Sequence, residues 1–239
     1  MSWEVLTGDC QELMHGPFDL VIADPPYGDT SLSWDRKVAG WEAVALRSLK
    51  PTGSMWVFGS MRYFLSEGVP AGFKLAQDIV WEKHNGSGFH ADRFKRVHEH
   101  IVQFYRADSP WSGVWNEVQK TQDAERKLVK RRKTRPTQMG AIDAAPFNSL
   151  DGGPRLMRSV IEIASCHGYA IHPTQKPLEL LDILIRTSCP PNGIVGDFFA
   201  GSGSAGVAAA YLGRDYVGCE IDPDMAVKAR ASFPVSDLL

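Results

Sequence analysis

Near the start of the chain, Asp24-Pro25-Pro26-Tyr27 follows the apolar run Phe18 to Ala23. Two successive prolines lock two φ angles, so the turn is stiff. It would hold the Asp24 carboxylate and the Pro25 carbonyl as two fixed acceptors beside the flat Tyr27 ring. A pair of acceptors next to an aromatic face suits an exocyclic amino group on a planar base. The plainer alternative is an Asp-Pro turn that merely ends a strand. A second constellation runs Asp197-Phe198-Phe199-Ala200-Gly201-Ser202-Gly203-Ser204-Ala205-Gly206, in the order strand, glycine turn, helix. Its Gly201-x-Gly203-x-x-Gly206 spacing matches a dinucleotide fingerprint. The glycines let the backbone approach a ligand, and Glu220, at the end of the next apolar run, offers a carboxylate to two vicinal hydroxyls. Spacing alone leaves NAD and other adenosine cofactors open.

These residues need a scaffold. Apolar runs read as buried strands at Val5 to Thr7, Phe18 to Ala23, Ser54 to Phe58, Leu75 to Trp81, Ile101 to Tyr105, Ile194 to Phe199 and Tyr216 to Ile221. Helical spacing occupies Trp41 to Leu49, Pro177 to Thr187, Ser204 to Leu212 and Pro223 to Phe233, with both prolines suited to a first turn. Such alternation predicts an α/β sheet covered on both faces, which binds ligands at the carboxyl ends of its strands. No helical pattern separates Leu75 to Trp81 from Ile101 to Tyr105, so these should pair antiparallel across a basic loop, Lys83 to Val97. From Ala107 to Ala170 the alternation lapses, a helix is expected only near Gln122 to Val129, and the stretch reads as an insertion.

The 239 residues carry a net charge of −2, which by itself argues against a nucleic-acid partner. The average conceals a division. Lys83 to Val160 holds 15 Lys/Arg against 8 Asp/Glu, or +7, while the remainder holds 11 against 20, or −9. The densest run is Lys130-Arg131-Arg132-Lys133-Thr134-Arg135. A solvated face explains a lone run, but the flanking Phe89, Arg93, Phe94, Lys95, Arg96 and Trp111 form a mixture suited to phosphates and bases. Cys10, Cys166, Cys189 and Cys219 have neither disulfide-framework nor zinc-finger spacing, which fits a reduced, cytoplasmic setting. The opening residues show no secretory signal pattern, and no membrane span is expected. His84, His90, His98 and His100 lack ligand spacing, so no metal is expected.

Taken in order, Asp24-Pro25-Pro26-Tyr27, His172-Pro173-Thr174-Gln175-Lys176-Pro177, the Asp197 to Gly203 loop and Gly218-Cys219-Glu220-Ile221-Asp222 resemble the signature blocks of DNA amino-methyltransferases that use S-adenosylmethionine (SAM). With the catalytic block first and the glycine loop last, the arrangement is similar to the circularly permuted β class. The resemblance covers most of the chain outside Ala107 to Ala170. It implies a seven-stranded Rossmann-like α/β sheet of strand order 3-2-1-4-5-7-6, mostly parallel with one antiparallel strand. Residues 1–106 and 171–239 would form the catalytic SAM-binding domain, and 107–170, with the loop 83–97, the target-recognition part. It further implies that Asp9, beside Cys10, meets the cofactor adenine and that Ala200, Gly201, Ser202 and Gly203 pass under its methionine part. Asp197 and Phe199 belong to the same loop, and Glu220, followed by Ile221, would hold the ribose. The block from His172 would close over the methionine end, with Thr174 or Lys176 near its carboxylate. His98-Glu99 is similar to a block lining the target-base pocket, although surface pairing at a strand start also explains it.

The implied reaction is direct methyl transfer from SAM to the N6 amino group of adenine flipped out of double-stranded DNA. Asp at the first block position favours adenine N6 over cytosine N4, where the related block usually begins with Ser. Cytosine N4 is the alternative substrate; a non-catalytic DNA- or SAM-binding module and an NAD oxidoreductase are the other classes. Cytosine C5 chemistry needs a Pro-Cys nucleophile, and the chain has only the reversed Cys189-Pro190. DNA contacts are expected from Lys83, Asn85, Arg93, Arg96, His98, Lys130, Arg131, Arg132, Lys133 and Arg135, and a homodimer is the expected assembly.

Overall fold

The structure, a computed structural model, describes residues 2–28, 35–87, 91–129, 147–166, 170, 172 and 175–233. It divides into two compact units, one of Met1–Glu117 and Ser159–Leu239, the other of Val118–Arg158. In chain order, the first unit begins with β1 (Trp3–Thr7), α1 (Cys10–Leu13), β2 (Phe18–Ala23), α2 (Trp41–Ser48), β3 (Leu49–Gly59), α3 (Met61–Glu67), β4 (Phe73–Ser87) and β5 (Arg96–Arg106). The second unit contributes the short strands β6 (Lys120–Thr121), β7 (Lys127–Val129), β8 (Phe147–Ser149) and β9 (Arg155–Leu156). The first then resumes with β10 (Val160–Glu162), α4 (Leu178–Ser188), β11 (Ile194–Asp197), α5 (Ser204–Tyr211), β12 (Asp215–Glu220) and α6 (Pro223–Ser232).

One sheet of order β1-β12-β11-β2-β3-β5-β4-β10 organises the first unit. All its pairings are parallel except those of β5, which runs antiparallel to both β3 and β4. Read from β1 to β4, this is the permuted order implied by the resemblance; β10 adds an eighth strand at the edge, beyond the seven expected. Central β2 (Phe-Asp-Leu-Val-Ile-Ala) is buried throughout, as a strand covered on both faces must be. Its one charge, Asp19, accepts from Lys50 Nζ at 2.8 Å and from the Ile194 amide at 2.9 Å, so the buried carboxylate is paired.

Alternate residues of each strand face opposite layers. On one side Val21, Ala23, Met55, Val57, Val102 and Phe104 join a core with Met14, Trp41, Val44 and Tyr63 from the α1 to α3 segments. α4 buries Leu180, Leu181, Leu184, Ile185 and Ser188, a helical stripe. The Ser188 hydroxyl accepts from Trp56 Nε1 at 2.8 Å and from Gln103 Nε2 at 3.0 Å, tying α4 to β3 and β5.

The expected helix near Gln122 to Val129 is absent: Lys127–Val129 is strand β7, paired antiparallel with β8. Its residues have good helix propensity but no apolar face to bury, and Leu128 is exposed, so strand pairing prevails. The expected insertion, Ala107 to Ala170, is also longer than the second unit. The Trp115 amide donates to the Thr52 carbonyl at 2.9 Å and the Glu117 amide to that of Thr187 at 2.7 Å, holding 107–117 in the first unit. Beyond Arg158, β10 pairs with β4, and Trp81 Nε1 donates to the Ile163 carbonyl at 2.8 Å. The loop expected over Lys83 to Val97 is shorter too, because β4 runs to Ser87 and β5 begins at Arg96.

Candidate active site

Parallel strands β1, β12, β11 and β2 end side by side, and past their carboxyl ends lies a cavity of about 600 Å³. Asp9, Cys10, Asp24, Pro26, His172, Lys176, Asp197, Phe199, Ala200, Gly201, Ser202, Glu220 and Ile221 all line it, so residues spread from 9 to 221 share one wall system. Gly203 sets the turn that opens α5, while Thr174 lies outside the described residues. The turn depends on its glycines: Gly201 and Gly203 have φ of 51° and 75°, where a Cβ is strained. Glu220 braces it, one carboxylate oxygen accepting from the Gly201 amide at 2.8 Å and the other from the Asp222 amide at 2.9 Å. Each oxygen keeps acceptor capacity for a ligand hydroxyl. Asp9 caps α1 by accepting from the Gln11 amide at 2.8 Å through Oδ1. Cys10 and Cys219 also line the cavity, but burial pushes both thiols up to about 12, so neither is a thiolate nucleophile.

Asp24 extends β2 into a cluster of alternating charges. Its Oδ2 accepts from Lys176 Nζ at 2.6 Å, and its Oδ1 is buried with no hydrogen-bond partner among the described residues. Lys176 also lies 3.5 Å from Glu99 Oε1 and 4.8 Å from the Phe58 ring centroid. Glu99 is paired with Lys83 at 2.6 Å and accepts from the Tyr27 hydroxyl at 2.6 Å. Burial pushes the Asp24 carboxyl up while Lys176 opposes it. Burial acts on Glu99 as well, but Lys176 and Lys83 outweigh it and hold that carboxyl at about 2. Tyr27 is pushed well up by burial and by Glu99, so its hydroxyl stays a donor. Its anchored ring meets Tyr63 at 5.8 Å between centroids.

Glu99 as the hub of this cluster, and Phe58 as its apolar floor, were not assigned these parts from the sequence. Phe58 carries the same signal as Asp24, since it lies at the carboxyl-terminal end of a buried parallel strand. Lys176 stands against Asp24 and Glu99, a partnership its place near a cofactor carboxylate did not anticipate. Of the residues expected to touch DNA, Lys83 is engaged by Glu99 and sits 4.4 Å from the Trp81 ring centroid. Arg93, Arg96 and His98 are exposed on the β4–β5 hairpin, with Arg93 paired to Asp92. A small hollow of about 30 Å³ is bounded by Tyr27, Ser60, Lys83, Arg96, His98 and Glu99. Asn85 lies in β4, its side chain outside the description, and Lys130, Arg131, Arg132, Lys133 and Arg135 lie outside the described residues.

A doubly covered, mainly parallel sheet with an acidic turn and a glycine turn at adjacent strand ends defines an α/β enzyme class that binds a nucleoside-like ligand beyond the carboxyl ends of its strands. The chain matches the DNA methylase model for N6 and N4 methylases over residues 18–229, and it belongs to that family. The Type II methyltransferase M.HinfI of Haemophilus influenzae is 28% identical over 249 aligned positions, covering 90% of this chain and 64% of that protein. The chain thus spans less than two thirds of that relative's length. Among solved structures, the M1.HpyAVI–SAM complex superposes with a TM-score of 0.62 at 24% identity, covering 96% of this chain and 98% of the other. PvuII DNA methyltransferase, cytosine-N4-specific, gives a TM-score of 0.66 at 18% identity, over 100% and 89%. TTHA0409 of Thermus thermophilus, complexed with S-adenosyl-L-methionine, gives 0.55 at 19%, over 97% and 94%. These structures share its fold.

Proposed function

We propose that this chain is a site-specific DNA methyltransferase that uses SAM and modifies the N6 amino group of adenine. One observation carries the reading: Asp24 ends β2 on the cavity wall with one oxygen held by Lys176 and the other unpartnered. The residues fit the cofactor. A cavity of about 600 Å³ falls within the range of small-molecule sites, roughly 300–1,000 Å³. Glu220 would take the ribose hydroxyls, the Ala200 to Gly203 turn would lie against the methionine part, and Asp9, with one oxygen committed to its helix cap, would face the adenine. Bound there, SAM supplies an electrophilic methyl group on its sulfonium. The SAM-bound M1.HpyAVI and TTHA0409 structures of the same fold support the assignment.

The amino group of adenine is a poor nucleophile because its lone pair is delocalised into the ring. Asp24 and the Pro25 carbonyl, accepting its two N–H groups, favour the geometry in which that pair is free and stabilise the positive charge that grows on nitrogen. Pro26 keeps the turn stiff, and Tyr27, tethered by Glu99, offers its ring to the base. The base must leave the duplex, at a cost of about a few kcal/mol that stacking and cationic contacts offset. Target reading is assigned to the 107–170 stretch, which contains the Val118–Arg158 unit, and to the hairpin tip. A cytoplasmic homodimer completes the reading, and sedimentation tests the assembly.

Incubation with SAM and DNA of varied sequence, followed by nucleoside mass spectrometry, is expected to yield N6-methyladenine. Asp24→Ala should lower the rate by about a thousandfold while SAM affinity stays within about threefold. Product only at cytosine N4, the base in the PvuII enzyme's name, would move the substrate within the family. Tight SAM binding without product on any DNA would make the chain a non-catalytic module.

A further inference from the structure

Lys176 joins three parts of the fold. It precedes α4, and its ammonium meets Asp24 from the end of β2 and Glu99 from β5, with Phe58 of β3 beneath it. Its side chain is 8% exposed and that of Glu99 6%. A lone ammonium so placed would shed its proton, whereas facing carboxylates preserve the charge. The two acids are not equivalent. Glu99 is fixed from three directions, by Lys83, Tyr27 and Lys176. For Asp24, the hydrogen bond from Lys176 occupies Oδ2, and Oδ1 has no partner among the described residues.

We propose that Lys176 is a positioning residue for methyl transfer: anchored on Glu99 and Phe58, it holds Oδ2 of Asp24 and thereby fixes Oδ1 as the acceptor for the target amino group. The inference rests on the methylase reading of this site. Sharing the cation has a further use. As positive charge grows on the target nitrogen, Asp24 must interact more with that nitrogen, and Glu99 keeps the ammonium compensated while it does so. The charged and titratable groups facing Asp24 are Lys176, Glu99 and Lys83, with Tyr27 in its own turn and Asp197 at the end of β11. Removing the ammonium leaves burial and the neighbouring acids to keep Asp24 protonated to higher pH.

The test compares wild type, Lys176→Gln and Lys176→Arg as full-length proteins, with circular dichroism to verify folding. Single-turnover methylation is followed from about pH 5 to pH 9, SAM affinity is measured by calorimetry, and the Asp24 carboxyl is titrated by carbon-13 NMR without SAM or DNA, its resonance identified by loss in Asp24→Asn. Lys176→Gln is expected to lower the single-turnover rate constant by about a hundredfold and to raise both the acid limb and the Asp24 midpoint by about one pH unit or more, with SAM affinity within about threefold. Lys176→Arg, which keeps a cation between the acids, should recover about tenfold or more of the lost rate. A loss of SAM affinity of about tenfold with an unmoved Asp24 midpoint overturns the proposal and makes Lys176 a cofactor ligand. An unchanged pH profile with a lower single-turnover rate constant overturns it in favour of a structural role. Should Lys176→Gln not fold, Lys176→Met, whose unbranched apolar side chain suits the buried site, takes its place with Glu99 unchanged, and an Asp24 midpoint that fails to rise is again decisive. Because the midpoint is read without substrate, it separates failure of this inference from failure of the methylase reading, which absence of any methylated product would show.

Discussion

Asp24 and Asp197 close the neighbouring strands β2 and β11, yet their electrostatic settings diverge. Asp24 meets an ammonium; Asp197 accepts from the Phe199 amide at 3.2 Å and from the Tyr216 hydroxyl at 3.0 Å, both neutral donors. Burial therefore dominates at Asp197 and raises its carboxyl from 3.8 to about 7. The folded state keeps this proton where the unfolded chain has released it. Its contribution to stability is therefore full below about pH 4, declines as pH rises to about 7, and is lost above that. Glu99, held at about 2, acts in the opposite sense and only at lower pH. Asp197→Asn should thus remove part of the decline between about pH 4 and pH 7. Thermal melts of wild type and variant across that interval test this; parallel curves would show that Asp197 is already ionised when folded.

At the scale of elements, legibility followed from how local the signal was. β2 and the other six strands expected from the sequence are mainly apolar runs between turn residues, and α4 carries its buried stripe in its own spacing, so their existence could be read directly. β10 has three residues and exists because β4 offers an edge 80 positions away, a long-range reason with no local trace. α3 is one short turn-rich helix capped by Ser60 and largely exposed, leaving no periodicity to detect. In the site, the strand-end acids and glycines were legible because backbone geometry restricts those positions to few residue types. Pairing among Lys176, Glu99 and Lys83 was not, because it joins residues from separate elements through side chains alone. Glycine can also be required by packing rather than by φ, as Gly206 in α5 shows. A Cβ there would come within 2.2 Å of Phe233 and 2.6 Å of Tyr216, whose hydroxyl holds Asp197. Gly206→Ala should cost about 1–3 kcal/mol through this overpacking, despite alanine's better helix propensity. Urea unfolding measures it, and a variant as stable as wild type would mean that Phe233 yields freely.

Across the whole molecule, the near-zero net charge is the sum of unlike parts. Val118–Arg158 alone carries ten Lys/Arg against four Asp/Glu, leaving 16 against 24 on the remaining chain. An acidic body is poorly suited to hold a polyanion, so under the proposed function electrostatic attraction for DNA is assigned to this unit and the β4–β5 hairpin. Within it, Lys130-Arg131-Arg132-Lys133 is the densest source of charge. Phosphate contacts carry no sequence information and release condensed counterions, so cations that make them raise affinity on every sequence alike and steepen its dependence on salt. Replacing all four by Gln should therefore weaken binding to unrelated duplexes by similar factors. The slope of log affinity against log salt should become shallower by about 0.9 for each phosphate contact removed. Fluorescence anisotropy between about 50 and 200 mM salt reads both quantities. A loss confined to one DNA sequence would instead assign these residues to base reading, and an unchanged slope would leave them as a solvated face with DNA held by the hairpin.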